Sequence, residues 1–210
     1  MQQILPGVFL VPMNGRKGFG YAHLVRRRAG NLILDVSRVG SMSDAFDEIE
    51  AAGGVKAAVV SDRHLGGVAT NQLAERFGAT IYCSAIEADA MGHRANAVHV
   101  DHALPFERTT VEGGVLLVPT PGHTPGQFST LVEVEGARIL FTADFVWRED
   151  GHWRPGNHSR KVMSKSFEAL RDLKFDHVVT YTSYARTELF VPIPSVDAAI
   201  DAMITACPKP

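Results

Sequence analysis

The amino-acid sequence predicts a layered α/β fold rich in β-sheet. Short β-type segments separated by Gly or Asn come first, and segments with helical periodicity alternate with strands after them. Strand meanders followed by alternating strands and helices favour a layered sheet protein over a helical bundle. A chain of 210 residues, 45% of them hydrophobic, can bury a sizeable core. We expect one domain over residues 1–210, or at most two small fused ones.

The first half of the chain predicts an opening group of strands followed by strand–helix pairs. Apolar or alternating runs bounded by turn residues predict strands at 7–12, 21–27, 31–37, 56–60 and 80–84. A helix is predicted at 41–54, where a Ser/Asp start precedes apolar residues at helical spacing and a Gly-Gly stop. A second helix at 69–79 also ends at a glycine. A short helix over 86–94 and a strand over 96–100 complete this half.

The second half predicts more strands and two closing helices. Apolar runs predict strands at 114–120, 128–136, 137–144 and 176–182. The two middle strands are expected to form a hairpin that turns near Gly136. Helical periodicity predicts helices at 164–174 and 195–207. The segment 147–160 is predicted to be a polar loop, because it contains Gly and Trp residues and no clear period.

Composition and charge exclude several classes of function. The 21 basic and 23 acidic residues give a formal charge of −2, so no basic surplus indicates a nucleic-acid partner. No apolar run approaches the ~18–20 residues that span a bilayer. The N-terminus has no basic region before its apolar residues, so we expect no signal peptide. Cys83 and Cys207 are expected to be thiols in a reducing compartment, with one disulfide as the alternative. These features predict a cytoplasmic protein that acts on a small molecule.

Three loops at predicted strand ends carry side chains that can bind a metal. Asp62 and His64 follow a buried strand, and residues two apart in an extended segment point to the same side. His123 lies in PGHTPGQ (121–127), where prolines and glycines indicate a fixed loop. Asp144 ends the apolar run LFTAD, where a buried carboxylate would need a partner. The D-x-H pair alone is typical of a polar turn, but its combination with the other two loops favours a metal site.

Two imidazoles and two carboxylates suit a divalent metal ion. Zn²⁺ accepts both ligand types, and Fe²⁺ or Mn²⁺ does so in a site with more open positions. Such an ion would lower the pKa of a bound water towards ~7 and so supply hydroxide for hydrolysis.

The stretch VPTPGHTPGQFSTLVEVEGARILFTADFV (118–146) resembles the metallo-β-lactamase superfamily, which includes glyoxalase II, lactonases, nucleases and other hydrolases. That family carries a P-G-H-T-x-G loop, then two strands, then a strand that ends in G/A-D. VVSDRHLGG (59–67) is similar to its first metal motif, and the resemblance extends over most of the chain. It implies an α/β fold in the form of a four-layer αββα sandwich, with the site along one edge between the two sheets.

The first metal motif departs from the family pattern T/S-H-x-H-x-D-H. In one register, Asp62 takes the place of the first His and His64 that of the second. Gly66 and Gly67 then fall on the Asp-His pair. In a second register, His64 takes the place of the last His, and the two glycines are those that often follow it. We take the first register, under which the ligands private to a second metal are lost.

Under the first register, the resemblance implies one metal ion and four ligands: Asp62, His64, His123 and Asp144. Asp144 and Asp62 are the expected catalytic carboxylates, which would orient the nucleophilic water or accept its proton. Thr182 stands where the family has its last His, a second departure that also argues against a two-metal centre. Four side chains near the cleft are expected to contact substrate: His158, Arg160, Tyr181 and Trp147. His158 could alternatively replace a lost ligand or act as an acid or base.

We therefore expect a mononuclear metal-dependent hydrolase, with Zn as the first choice of metal and Fe or Mn as alternatives. Its target would be an ester, thioester, lactone or related bond. The alternative is a catalytically inactive, metal-free relative that uses the cleft to bind a ligand or partner. A non-hydrolytic reaction at a single iron is a third hypothesis, because relatives oxidise persulfides. The two tryptophans of 147–160 could pack over the sheet edge or form a homodimer contact.

Overall fold

The computed structural model describes residues 1–14, 21–93, 97–156, 160–181 and 187–207. The chain forms two compact units, which are residues 1–106 (unit 1) and residues 107–210 (unit 2). Fifteen strands and five α-helices lie within these described ranges.

Unit 1 contains a seven-stranded sheet whose described strands neighbour one another in chain order. Its strands are β1 (Gln2–Leu5), β2 (Val8–Pro12), β3 (Tyr21–Val25), β4 (Leu32–Leu34), β5 (Ala57–Val60), β6 (Thr80–Ser84) and β7 (His102–Leu104). The first four pair antiparallel, and β4 to β7 pair parallel. The parallel connections contain α1 (Phe46–Ala51), α2 (Val68–Phe77) and α3 (Ala85–Gly92). Strands β4 and β5 are wholly buried, which accounts for their uninterrupted apolar sequences.

The parallel pairing in unit 1 sets where its polar side chains lie. Because β4, β5 and β6 run in the same direction, their carboxyl ends reach the same edge of the sheet. Asp35 follows β4, Asp62 follows β5, and Glu87 lies in the first turn of the helix after β6. Three acidic residues that are distant in sequence are thereby brought to one edge.

Unit 2 contains a six-stranded sheet and a separate two-stranded hairpin among its described residues. The strands are β8 (Thr109–Val111), β9 (Val115–Pro119), β10 (Phe128–Val134), β11 (Ala137–Phe141), β12 (Val146–Glu149), β13 (His152–Pro155), β14 (His177–Val179) and β15 (Phe190–Pro192). The sheet order is β15-β14-β11-β10-β9-β8, and β12 pairs with β13. Apolar residues of the sheet share one core cluster with α4 (Arg160–Glu168) and α5 (Val196–Ala206): Val118, Leu131, Leu140, Met163, Phe167, Ile200 and Met203.

Strand direction also sets where the predicted site residues of unit 2 lie. Strands β9, β10 and β11 pair antiparallel, and β14 pairs parallel to β11. The carboxyl ends of β9, β11 and β14 therefore lie at the same edge. The loops that contain His123 and Asp144 and the residue Tyr181 all follow these strand ends.

One predicted strand is absent from the structure, and several short strands were not predicted. Residues 97–100 are not a strand, and the pairing with β6 begins only at His102. Asp101 accounts for this later start of the pairing, because its side-chain carboxylate, and not a backbone carbonyl, accepts the Ile81 N–H at 2.8 Å. Strands β1, β8 and β15 were not predicted, since segments of three or four residues are too short for a reliable period.

The segment 147–160, predicted to be a loop, contains the β12–β13 hairpin. Asp150 and Gly151 form its turn with φ of 48° and 78°, and two positive φ angles define the tight turn that Asp-Gly favours. The predicted 164–174 helix is also shifted, because α4 begins at Arg160 and ends at Glu168. Up to Leu173 the chain continues in turns whose N–H groups donate to the carbonyl three residues earlier, as in a 3₁₀-helix.

Each helix among the described residues falls short of the length and apolarity needed to cross a membrane. The single-domain organisation over 1–210 and the cytoplasmic location stay predictions.

Candidate metal centre

Asp62 and His64 lie in the turn that follows β5 in unit 1. The Leu65 N–H donates to the Asp62 carbonyl at 3.1 Å, so a turn, not an extended strand, brings the two side chains together. Asp62 is fully buried, and its Oδ1 accepts the His64 N–H at 2.6 Å. His64 Nδ1 lies 3.7 Å from the same oxygen, and the imidazole is 48% exposed. The turn therefore presents a buried carboxylate beside an accessible imidazole.

The Asp62 carboxylate needs a positive partner. Its Oδ2 is buried and has no hydrogen-bond partner within the described part of the chain. Its pKa is raised from 3.8 to about 7, chiefly by burial, while the His64 N–H lowers it and the charges of Glu87 and Asp35 raise it. A buried, unsatisfied carboxylate oxygen is costly, and a bound cation would satisfy it. The residues present thus fit a metal ion.

Two glycines close the turn and leave no room for side chains. Gly66 has a φ of +81°, and a Cβ on it would lie 2.9 Å from both Val60 and Val98. A Cβ on Gly67 would lie 2.7 Å from the Arg38 carbonyl oxygen. No ligand side chain fits at either position, and the packing itself requires glycine. The packing requires glycine under either register, and either register retains His64 as the candidate imidazole ligand of this turn.

His123 lies in a loop of unit 2 that hydrogen bonds hold in place. The Thr120 N–H donates to the Gln127 carbonyl at 2.9 Å and so closes the base of the loop. Ser166 Oγ of α4 donates to the Pro121 carbonyl at 2.6 Å. The loop is therefore fixed on both sides of His123, as its prolines and glycines predict.

Asp144 lies three residues beyond β11 and faces His123. Its Oδ2 is 3.9 Å from His123 Nε2, and the two side chains are 27% and 23% exposed. Thr142 Oγ1 donates to the Val146 carbonyl at 2.8 Å, and Ala143 takes a positive φ of 50°. This tight turn redirects the chain and exposes part of the carboxylate. Unit 2 therefore presents a second imidazole–carboxylate pair.

Gly156 packs against the backbone of Asp144. Its N–H donates to the Phe145 carbonyl at 2.7 Å, and a Cβ on it would lie 2.2 Å from the Asp144 carbonyl oxygen. We expect Gly156→Ala to displace Asp144, to lower the free energy of unfolding by about 1–3 kcal/mol and to weaken metal binding. Urea denaturation and a metal titration measure the two effects. Gly92→Ala is the control, because a Cβ there meets nothing within 4 Å. If the two variants behave alike, Gly156 does not position Asp144.

The structure describes only part of the predicted substrate-contact set. Trp147 is partly buried and pairs with a residue of β13 in the hairpin. Tyr181 lies two residues beyond β14 and is 3% exposed. Arg160 is the first residue of α4. His158 and Thr182 lie outside the described residues. The substrate-contact roles stay predictions.

Sequence reasoning missed Glu87, a fully buried residue beside the first metal motif. Its Oε2 accepts the Arg63 N–H at 2.8 Å and Arg63 Nε at 2.7 Å, and its Oε1 accepts Arg63 Nη2 at 2.9 Å. The available signal was SAIE (84–87), since S-x-x-E marks a helix start. Ser84 Oγ does accept the Glu87 N–H at 3.1 Å, but the Glu87 carboxylate binds Arg63.

The model of the metallo-beta-lactamase superfamily matches residues 63–182, which are more than half of the chain. The matched segment includes His64, His123 and Asp144, and Asp62 lies immediately before it. No curated protein matches the chain significantly in sequence.

Solved metallo-β-lactamases have the same fold. A B3 metallo-β-lactamase with an active-site glutamic acid superimposes with a TM-score of 0.66 and 18% identity, over 97% of this chain and 86% of that chain. A HARLDQ-motif mutant of the metallo-β-lactamase from Cronobacter sakazakii superimposes with a TM-score of 0.62 and 21% identity, over 87% of this chain and 80% of that chain. The Rm3 metallo-β-lactamase superimposes with a TM-score of 0.66 and 16% identity, over 98% of this chain and 91% of that chain. The predicted α/β fold of the metallo-β-lactamases is confirmed. Because the family model matches more than half of the chain, the chain belongs to the metallo-β-lactamase superfamily.

Proposed function

We propose that the protein is a metal-dependent hydrolase with one divalent metal ion per chain. The ligands of the ion would be Asp62, His64, His123 and Asp144. One observation carries the proposal: each unit presents an imidazole–carboxylate pair at a strand-end edge, and one of the carboxylates has a buried oxygen without a partner in the described chain.

The donor set supports a borderline divalent ion. Asp62, His64 and His123 supply one carboxylate and two imidazoles, which are ligand types that such an ion accepts. Zn²⁺ binds these ligand types most readily in proteins, and Fe²⁺ or Mn²⁺ are the alternatives. The glycines at 66 and 67 supply no further ligand, which supports a mononuclear site.

When bound, a divalent metal ion would polarise the scissile group and lower the pKa of a bound water, and both effects promote hydrolysis near neutral pH. Asp144 is partly exposed and lies beside His123, so it can accept a proton from the attacking water. Asp62 is inaccessible and accepts the His64 N–H, so its task is to hold the turn and supply negative charge.

The proposed substrate is a small molecule with an ester, thioester, lactone or related bond. The formal charge of −2 provides no basic surplus for nucleic acid, and this supports a small-molecule substrate. A cytoplasmic location and a homodimer are further parts of the proposal.

The test is turnover of ester, thioester, lactone and phosphodiester probes by protein loaded with Zn²⁺, Mn²⁺ or Fe²⁺. We expect the metal-loaded protein to hydrolyse at least one probe and the chelated samples to hydrolyse none of them. Metal-independent binding of a ligand without turnover would instead support the inactive relative. Oxygen consumption by the iron-loaded sample would support the non-hydrolytic reaction.

A further inference from the structure

Arg63 lies between two proposed ligands in sequence, yet its side chain binds Glu87. Glu87 is fully buried, and Arg63 is 27% exposed. The guanidinium donates to both carboxylate oxygens at 2.7 and 2.9 Å, which is the two-pronged geometry of a strong charge-assisted pair. Neither residue belongs to the proposed ligand set.

This pair fixes the backbone of the turn as well as a side chain. The Glu87 carboxylate also accepts the backbone N–H of Arg63 at 2.8 Å, so the peptide between Asp62 and Arg63 is tied to α3. The first turn of α3 is itself capped, because the Ser84 side chain at the end of β6 accepts the Glu87 N–H. The turn is thereby attached to an element that holds none of the proposed ligands.

A second set of contacts holds the opposite side of the turn. The Gly66 N–H donates to the Val36 carbonyl at 2.7 Å. Ser61 Oγ donates to Asp35 Oδ1 at 3.5 Å, and the other oxygen of Asp35 lies 2.9 Å from His23 Nδ1, with both side chains fully buried. Both sets of contacts lie within unit 1.

We propose that Arg63 and Glu87 are positioning residues that preorganise Asp62 and His64 for the metal ion. This inference rests on the proposed function and adds to it the residues that set the metal affinity. Ligands already held in place lose little freedom on binding, and partners behind the ligands typically change metal affinity ~10–100-fold.

The test removes both charges together, in Arg63→Met/Glu87→Leu. The double substitution leaves neither partner of the pair behind as an unpaired charge and keeps the net charge, so the fold should be retained. We expect Zn²⁺ affinity, measured against a competing chelator at pH 8, to fall by ~10–100-fold. We also expect the His64 amide of the metal-free variant to exchange hydrogen faster than in wild type.

The matched control is Arg108→Met/Asp172→Leu, which removes a similar two-pronged pair at 2.7 and 3.1 Å in unit 2. It should change neither measurement. Arg63→Lys keeps the positive charge but loses the two-pronged contact of the guanidinium, so we expect a smaller loss of Zn²⁺ affinity than in the double variant. This single variant replaces the double variant in the test if the double variant does not fold. Affinity within about threefold of wild type and unchanged His64 exchange would overturn the proposal. If wild type binds none of Zn²⁺, Mn²⁺ and Fe²⁺, the proposed function fails, while the His64 exchange still tests the positioning role.

Discussion

Replacement of His123 by alanine is expected to abolish metal-dependent turnover and to weaken metal binding by more than about 100-fold. Structural zinc sites with four ligands bind with ~10–16 kcal/mol, so each ligand contributes roughly 3 kcal/mol on average. That loss corresponds to a factor of more than about 100 in the dissociation constant. The substitution also removes the partner that lies 3.9 Å from Asp144 Oδ2, and this carboxylate is the proposed proton acceptor.

The measurement pairs a chelator competition with a turnover assay on the same samples. The control is His152→Ala, which removes an exposed histidine of β13 in the same unit. Thermal unfolding of all three proteins shows whether the fold is retained. Metal-dependent turnover by His123→Ala at a rate near that of wild type would exclude His123 from the site.

Replacement of Asp62 by asparagine is expected to have opposite effects on stability and on metal binding. In the unfolded chain the carboxyl titrates near 3.8, whereas in the folded, metal-free protein its pKa is about 7. Between these values the folded protein binds more protons than the unfolded chain. The contribution of Asp62 to the free energy of unfolding therefore falls as the pH rises from about 4 to about 7, and it levels off above.

Asparagine removes this decline because it carries no ionisable proton. The pKa difference corresponds to ~4 kcal/mol, and the buried amide retains part of the burial cost. We expect metal-free Asp62→Asn to be more stable than wild type by about 2–4 kcal/mol at pH 8 and nearly equal to it at pH 4. Zn²⁺ should stabilise wild type strongly and the variant little, because a neutral amide is a poor ligand.

Urea denaturation at several pH values, with and without Zn²⁺, measures all of these differences. Asp89→Asn is the control, since it neutralises an exposed aspartate of α3 in the same unit. If the difference in stability between wild type and Asp62→Asn does not change between pH 4 and pH 8, Asp62 is not a buried, unsatisfied carboxyl.

Much of the fold was predictable because its central strands are buried on both faces. Strands β4 and β5 are wholly buried and consist of apolar residues alone, and β11 ends in the buried apolar run ILF; a polar residue follows each of the three runs. Asp62, His123 and Asp144 could be selected for that reason, since strand ends meet at sheet edges. The β12–β13 hairpin was missed although Asp150-Gly151 is a strong turn signal, because Trp, His and Arg mask the alternation of its strands.

Long-range polar contacts were not predictable from local pattern. Glu87 follows Arg63 by 24 residues, and only the parallel pairing of β5 with β6 brings the two together. The buried pair of His23 and Asp35 likewise depends on the neighbouring β3 and β4. Nor could the sequence show that positions 66 and 67 have no room for a side chain, because this follows from their packing against Val60, Val98 and Arg38.

The metal content of reconstituted protein tests the central claim most directly. The purified chain would be incubated with Zn²⁺, Mn²⁺ or Fe²⁺, separated from free metal and assayed by elemental analysis beside His123→Ala. We expect about one equivalent of one of these metals per wild-type chain and much less in the variant. Less than roughly a tenth of an equivalent in wild type for all three metals, or two equivalents of any of them, would contradict a mononuclear site.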